Sequence, residues 1–172
     1  DLPVPVMHAI AELGFKYCTA IQEESLPHVL TGRDLTGKAQ TGTGKTATFL
    51  IAVFSRMLLS SWSGRGLSPR VLIIAPTREL VIQIDAEAQL LGKPAGFRII
   101  PVYGGIDYQK QRDELTKRVD VLIGTPGRLI DYLKQKVYSL KKTQFLVIDE
   151  ADRMFDMGFI SDIRFMLRRM SP

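Results

Sequence analysis

One cysteine, Cys18, stands among the 172 residues. A single thiol excludes an internal disulfide and a cysteine-built zinc site, and it fits a reducing cytoplasm. No apolar run approaches the ~20 residues that a membrane-spanning helix needs, and no signal-peptide pattern opens the chain. The expectation is a cytoplasmic protein with no membrane association. Repeats and low-complexity segments are lacking as well. Only Ser60 to Pro69, rich in Ser and Gly, reads as a long loop, with Trp62 inside it placed to dock on the surface. The rest is ordinary globular material, 45% hydrophobic and 24% charged, of a length that suits one domain with a sizeable core. A net charge of +5 suits a polyanionic partner without requiring one.

Ala39-Gln40-Thr41-Gly42-Thr43-Gly44-Lys45-Thr46 is the richest stretch. A strand is predicted over Asp34 to Ala39 and an apolar helix over Lys45 to Leu59, so the loop between them sits where a helix N-terminus faces a phosphate. Backbone N–H groups of Thr41, Gly42, Thr43 and Gly44 can wrap phosphates, because the glycines permit conformations and approaches that a Cβ would obstruct. Lys45 can place its ammonium between the β- and γ-phosphates, and the Thr46 hydroxyl can join a Mg²⁺ shell. The widest form of this phosphate-binding loop has Gly where Ala39 stands. The bland alternative is a glycine-rich turn that happens to contain Lys-Thr.

Further on, Phe145-Leu146-Val147-Ile148 reads as a buried strand that delivers Asp149-Glu150-Ala151-Asp152 at its carboxyl end. Open α/β sheets bind their ligands there. Asp149 is expected to hold Mg²⁺, and Glu150 to orient and deprotonate the water that attacks the γ-phosphate. Alone, such an acidic cluster also reads as a solvated helix N-terminus.

Together the two stretches resemble the first RecA-like domain of a DEAD-box RNA helicase. Gly14-Phe15 with Thr19-Ala20-Ile21-Gln22 resembles the family's Q motif, Pro76-Thr-Arg-Glu-Leu80 its motif Ia, Gly104-Gly105 its GG element and Thr125-Pro-Gly-Arg128 its motif Ib. The likeness runs over essentially all of the chain, in the family's order. Tyr103-Gly-Gly105 and the run from Asp152 to Phe159, continued through Arg168-Arg169-Met170, are similar to the bacterial degradosome-associated type.

The resemblance implies roles residue by residue. Gln22, whose amide both donates and accepts, would read adenine at N6 and N7 and so favour ATP over GTP. Phe15 would stack on the adenine, with Tyr17 beside it; after a helix-ending Gly14, Phe15 also reads as a core aromatic. Cys18 fills a place where the family usually has Pro. Pro76, Thr77, Arg78, Gly104, Gly105, Thr125 and Arg128 would grip RNA phosphate and sugar, leaving the bases unread. Plain turns and helix starts are the alternative for each of these. Arg164, Arg168 and Arg169 form a basic stripe that reads more readily as a solvated or partner-facing helix surface. A ribonuclease or other RNA-processing protein is a candidate partner, and the domain is expected to be monomeric.

Short strands near Leu35 and over Val71–Ala75, Arg98–Val102, Val121–Ile123 and Phe145–Ile148 alternate with helices over Pro5–Leu13, Ile21–Leu30, Lys45–Leu59, Arg78–Leu91, Tyr108–Arg118, Gly127–Gln135 and Ile160–Arg169. That order predicts an α/β, RecA-like fold with a mostly parallel sheet and helices on both faces. Residues 1–172 are expected to be one ATP-binding domain that stops before the family's Ser-Ala-Thr motif and second RecA-like domain, and alone to be nearly inactive. The activity implied for the intact enzyme is RNA-dependent ATP hydrolysis coupled to local duplex unwinding. Two rivals are a P-loop DNA helicase or translocase, which gives no reason for Gln22, and a nucleotide-gated protein-docking module.

Overall fold

A computed structural model describes residues 2–38, 42–64 and 66–170. The chain gathers into two compact units, one made of residues 1–62 and 87–96, the other of 63–86 and 97–172.

The first unit is helical. It holds α1 (Val4–Glu12), α2 (Ala20–Leu30), α3 (Lys45–Leu59) and the last turns of α4 (Arg78–Gly92), which lead into a 3₁₀ turn at Lys93–Ala95. Pro5 sits in the first turn of α1, where its missing N–H leaves no bond unmade. The α3 sequence is apolar almost all round, and it buries Leu50, Ile51, Ala52, Val53, Phe54 and Met57 accordingly. Helices α1 and α2 pack on it. Arg56 of α3 donates from Nη1 to the Val29 carbonyl at 3.0 Å, and a Cβ on Gly32 would come within 3.0 Å of the same nitrogen. That bond ties α3 to the end of α2.

The strand expected over Asp34–Ala39 is not there in its described part. Residues 34–38 are exposed and without regular structure, and Ala39 lies outside the described residues. Among the described residues no strand pairs with this stretch. Leu35, 47% exposed, is its one large apolar side chain between Asp34 and Lys38, so it offers no face to bury.

The second unit is built on a four-stranded sheet of β1 (Val71–Ile74), β2 (Ile99–Val102), β3 (Val121–Gly124) and β4 (Phe145–Ile148), ordered β2-β3-β1-β4 and parallel throughout. Parallel strands need crossovers, and α4, α5 (Tyr108–Leu115) and α6 (Pro126–Lys134) supply them. The central strand β1 is closed to solvent on both faces, as its unbroken Val-Leu-Ile-Ile run requires. Strand β4, at the edge, is half-buried along its length. Leu72, Ile74 and Leu122 share a core with Leu129, Tyr132 and Leu133 of α6 and with Ile163 and Met166 of α8 (Ile160–Leu167). A short helix, α7 (Ala151–Asp156), precedes α8; its extent carries no sequence period, although the acidic cluster before it also reads as a helix N-terminus. Helix α5 stops at Leu115 rather than Arg118, where the Thr116 hydroxyl donates to the Asp113 carbonyl at 2.7 Å.

Candidate nucleotide site and nucleic-acid face

In the first unit the described part of the glycine loop, Gly42 to Gly44, runs into α3. Gly42 and Gly44 have φ of 81° and 85°, so both use the left-handed region in which a side chain is strained. Gly44 is the N-cap of α3; its carbonyl accepts from the Thr48 N–H at 2.9 Å and from the Thr48 hydroxyl at 2.8 Å. Lys45 and Thr46 form the first turn and are half-buried, as is Thr43. Thr41 and the preceding Ala39 and Gln40 lie outside the described residues.

Thr19 and Gln22 lie against this loop. A Cβ on Gly44 would stand 3.0 Å from the Gln22 Nε2 and 3.2 Å from the Thr19 Oγ1, so both side chains sit close against this glycine. Gln22 is buried, and its Oε1 accepts from the Thr19 N–H at 3.0 Å. That bond is one half of a capping box at the start of α2. The spacing Thr19-x-x-Gln22 carries this second role in plain sight. Phe15 is 44% exposed and Tyr17 90% exposed, so Phe15 is no core aromatic; both rings are open to a ligand. The helix-ending role of Gly14 holds, with φ 73°.

In the second unit the parallel register places four motif stretches along one edge of the sheet. Ile74 pairs with Gly124 and with Ile148, and Val102 pairs with Gly124, so the strands end level with one another. Tyr103-Gly104-Gly105, Thr125–Arg128, Ala75–Arg78 and Asp149-Glu150 therefore leave adjacent strand ends in the order β2, β3, β1, β4. This is the carboxyl edge at which open α/β sheets take ligands.

At the β4 end, Asp149 is buried and its Oδ1 accepts from the Glu150 N–H at 3.0 Å. Glu150 has φ 52° and ψ 49°, a left-handed conformation for a residue with a side chain. Such strain costs roughly 1–2 kcal/mol and gathers at functional positions. The Glu150 carboxylate is half-buried and pairs with Arg153 at 3.3 Å. The exposed Asp152 accepts from the Arg153 N–H at 2.9 Å. No sequence signal announces the Glu150 backbone.

On the other three strand ends, Thr77 caps α4, its Oγ1 accepting from the Leu80 N–H at 3.3 Å, while Pro76 is buried. Arg78 is exposed and its guanidinium carbon lies 5.3 Å from the centre of the Tyr103 ring. A Cβ on Gly105 would stand 3.0 Å from the Arg78 Nη1. Thr125 is the N-cap of α6. Arg128, in the first turn, lies 4.9 Å from the Tyr108 ring centre and 5.5 Å from that of Tyr132, and its Nη1 donates to the Tyr132 hydroxyl at 3.2 Å. A Cβ at Gly104 would meet nothing within 4 Å.

A family model described as DEAD/DEAH box helicase matches residues 19–172. The chain belongs to the DEAD/DEAH box helicases. It is 54% identical to a protein named ATP-dependent RNA helicase RhlB from Shewanella denitrificans, over 99% of this chain and 40% of that protein. The RhlB of Xanthomonas axonopodis pv. citri is likewise 54% identical, over 99% of this chain and 30% of the relative. Among solved structures, a hypothetical ATP-dependent RNA helicase from Sulfolobus tokodaii superposes with a TM-score of 0.84 at 34% identity, covering 96% of this chain and 46% of the other. The chain thus spans 30–40% of the length of these curated relatives, and its fold is RecA-like.

Within this DEAD/DEAH box domain, several side chains that sequence reasoning passed over hold the named ones. Gln111 of α5 is buried and makes two bonds to the Tyr103 backbone. The Tyr132 hydroxyl donates to the Tyr108 carbonyl at 2.9 Å. Gly124, level with the strand ends, leaves no room for a Cβ, which would lie 2.7 Å from the Val102 Cγ2. Arg164, Arg168 and Arg169 are all exposed, and Arg169 lies over the Phe165 ring and donates to the Phe165 carbonyl at 2.9 Å. Among the described residues no three His, Cys, Asp or Glu side chains gather as a metal cage, and no helix is long and apolar enough to cross a membrane.

Proposed function

We propose that this chain is the ATP-binding, first RecA-like domain of a DEAD-box RNA helicase, and that the intact protein couples ATP hydrolysis to RNA binding and local strand separation. The observation that carries the nucleotide reading is the seating of Thr19 and Gln22 against Gly44, which puts an amide able to read adenine beside a loop shaped for phosphates. Gln22 keeps both amide protons and one lone pair of Oε1 after capping α2, enough for the two-point reading of N6 and N7. Thr41, Gly42, Thr43, Gly44 and Lys45 take the phosphates, and Phe15 and Tyr17 take the base.

The donor types fit a hard cation: a hydroxyl from Thr46 and a carboxylate from Asp149 are oxygen ligands, and Mg²⁺ completes its shell with waters and substrate phosphates. Bound with the triphosphate, the ion would neutralise charge at the β- and γ-oxygens. Glu150 orients and deprotonates the attacking water. Pro76, Thr77, Arg78, Gly104, Gly105, Thr125 and Arg128 grip the RNA backbone from the β2, β3 and β1 strand ends. ATP and RNA both favour a closed arrangement with a second domain, and phosphate loss reopens it. This domain alone turns over little. We place the protein in the cytoplasm, with a ribonuclease or other RNA-processing protein as its partner.

Calorimetric titration with ADP and with GDP, each with Mg²⁺, tests the reading on wild type, Gln22→Ala and Gln22→Glu. Glutamate keeps the capping acceptor and loses the amide protons, so it separates helix capping from base reading. The expected result is ADP binding alone in wild type, with preference lost in both variants. Equal binding of ADP and GDP by wild type would leave a P-loop protein with no adenine selectivity.

A further inference from the structure

We infer that Tyr103 and Tyr108 are positioning residues that hold the guanidinium groups of Arg78 and Arg128 ready for RNA. The inference rests on the reading of those two arginines as RNA-backbone contacts, and it adds what keeps them in place. Each arginine starts a helix at a strand end, and each lies over an aromatic face, Arg78 at 5.3 Å from the Tyr103 centre and Arg128 at 4.9 Å from that of Tyr108. Both distances fall within the ~6 Å range of cation–π attraction. Among the described residues neither guanidinium is ion-paired to a carboxylate. A ring holds an arginine by its face, which leaves N–H edges to donate, whereas a carboxylate would occupy those edges and cancel the charge a phosphate needs.

The rings are themselves anchored. Gln111, 6% exposed, accepts from the Tyr103 N–H at 2.9 Å and donates to its carbonyl at 3.1 Å, so the backbone from which the ring projects is held at the end of β2. Tyr132, fully buried, donates to the Tyr108 carbonyl at 2.9 Å and packs its ring 4.9 Å from that of Tyr108. Its hydroxyl also accepts from Arg128 at 3.2 Å. Gly105 keeps the place beside Arg78 clear, since a Cβ there would stand 3.0 Å from Nη1. Gln111 thus fixes the backbone that carries the Tyr103 ring, Tyr132 packs on the Tyr108 ring itself, and the two rings hold two cations on the same sheet edge. An arginine already ordered loses less rotamer freedom when RNA arrives, so the rings act on affinity through preorganisation.

The test is a pair of double-mutant cycles in the intact protein, reading the affinity for a labelled single-stranded oligouridine in Mg²⁺ and a non-hydrolysable ATP analogue. Arg78→Ala and Arg128→Ala are expected to weaken binding by about ten-fold or more. Tyr103→Leu and Tyr108→Leu should each weaken it by about three- to ten-fold, and Tyr→Phe at either place, which keeps the ring, should stay within about two-fold. Leucine placed in the matching Arg→Ala background should cost nothing more. Leucine variants that bind as wild type, or whose losses add in full to the arginine losses, would overturn the inference. Neutral Arg→Ala variants would instead remove the RNA reading beneath it. A second measurement guards against misfolding: in this chain without RNA, the NMR signals of the Arg78 and Arg128 side chains should carry upfield ring-current shifts that Phe keeps and that Leu removes at Arg78 and reduces at Arg128, where the Tyr132 ring remains. Arginine signals at unshifted positions in wild type would also sink it.

Discussion

Gln111 closes a two-point bridge onto Tyr103, accepting from its N–H at 2.9 Å and returning a bond to its carbonyl at 3.1 Å. The geometry imitates a strand neighbour at the point where β2, an edge strand of the sheet, has ended. It also satisfies two backbone groups that would otherwise need water. Gln111→Leu fits the same volume but leaves both Tyr103 groups without their partner. The expected loss is about 2–3 kcal/mol of stability, read as a lower urea midpoint with an unchanged slope. A variant as stable as wild type would show that water replaces the amide at no cost.

Gly124 pairs with both Ile74 and Val102, and the atoms around it leave its α-carbon no room to carry a methyl group. An added Cβ would lie 2.7 Å from the Val102 Cγ2, 2.8 Å from the Leu129 Cγ and 2.8 Å from the Val102 carbonyl oxygen. The last of these is backbone and cannot step aside by changing rotamer. Gly124→Ala should therefore destabilise by about 1–3 kcal/mol through overpacking, with a drop of several degrees in Tm on calorimetry.

Much of this arrangement was legible in the residues, and what was not shares a physical cause. Long periodic segments such as Lys45–Leu59 were read to the residue because one helix carries its own pattern. The β1, β2, β3 and β4 strands were each placed within a residue, since parallel buried strands are short apolar runs. The strand expected before the glycine loop failed because Leu35 is its one large apolar side chain between Asp34 and Lys38, too little to hold a pairing. Helix α7 is too short at six residues for a period to show, and only the acidic cluster Asp149–Asp152, in its reading as a helix N-terminus, points to it. Gln111 with Tyr103, and Tyr132 with Tyr108, are contacts across 8 and 24 residues that no local pattern encodes.

Lys45 opens α3 directly after the left-handed Gly44, so its backbone and the helix N-terminus lie together at the loop. Removing the ammonium takes away a charge-assisted contact while leaving the backbone cradle in place. Lys45→Ala should lower ADP affinity by about 100-fold or more in calorimetry. Retained affinity would take Lys45 out of the site.

The strained backbone at Glu150 puts its carboxylate at the β4 strand end, and Glu150→Gln keeps size and conformation while removing the negative charge. In the intact protein, nucleotide affinity should persist and RNA-stimulated hydrolysis should fall by about 10²–10⁴-fold, the usual contribution of a general base. A variant that still turned over would transfer that role to another group.

Tyr138 couples the stability of the second unit to alkaline pH. Its ring is buried and its hydroxyl donates to the Leu129 carbonyl at 2.9 Å, so burial pushes the phenol far above its ordinary value. In the unfolded chain that phenol ionises near pH ~10, whereas the folded protein keeps the proton. Between those values the folded state binds more protons, so the stability Tyr138 contributes is fully present below pH ~10 and declines as pH rises beyond it. Tyr138→Phe cannot ionise. It should be less stable than wild type by about 1 kcal/mol at neutral pH, since the Leu129 carbonyl loses its donor, yet fall less steeply above pH ~10. The two urea-unfolding curves therefore converge with rising pH. Parallel curves would mean that the phenol is free to ionise in the folded protein.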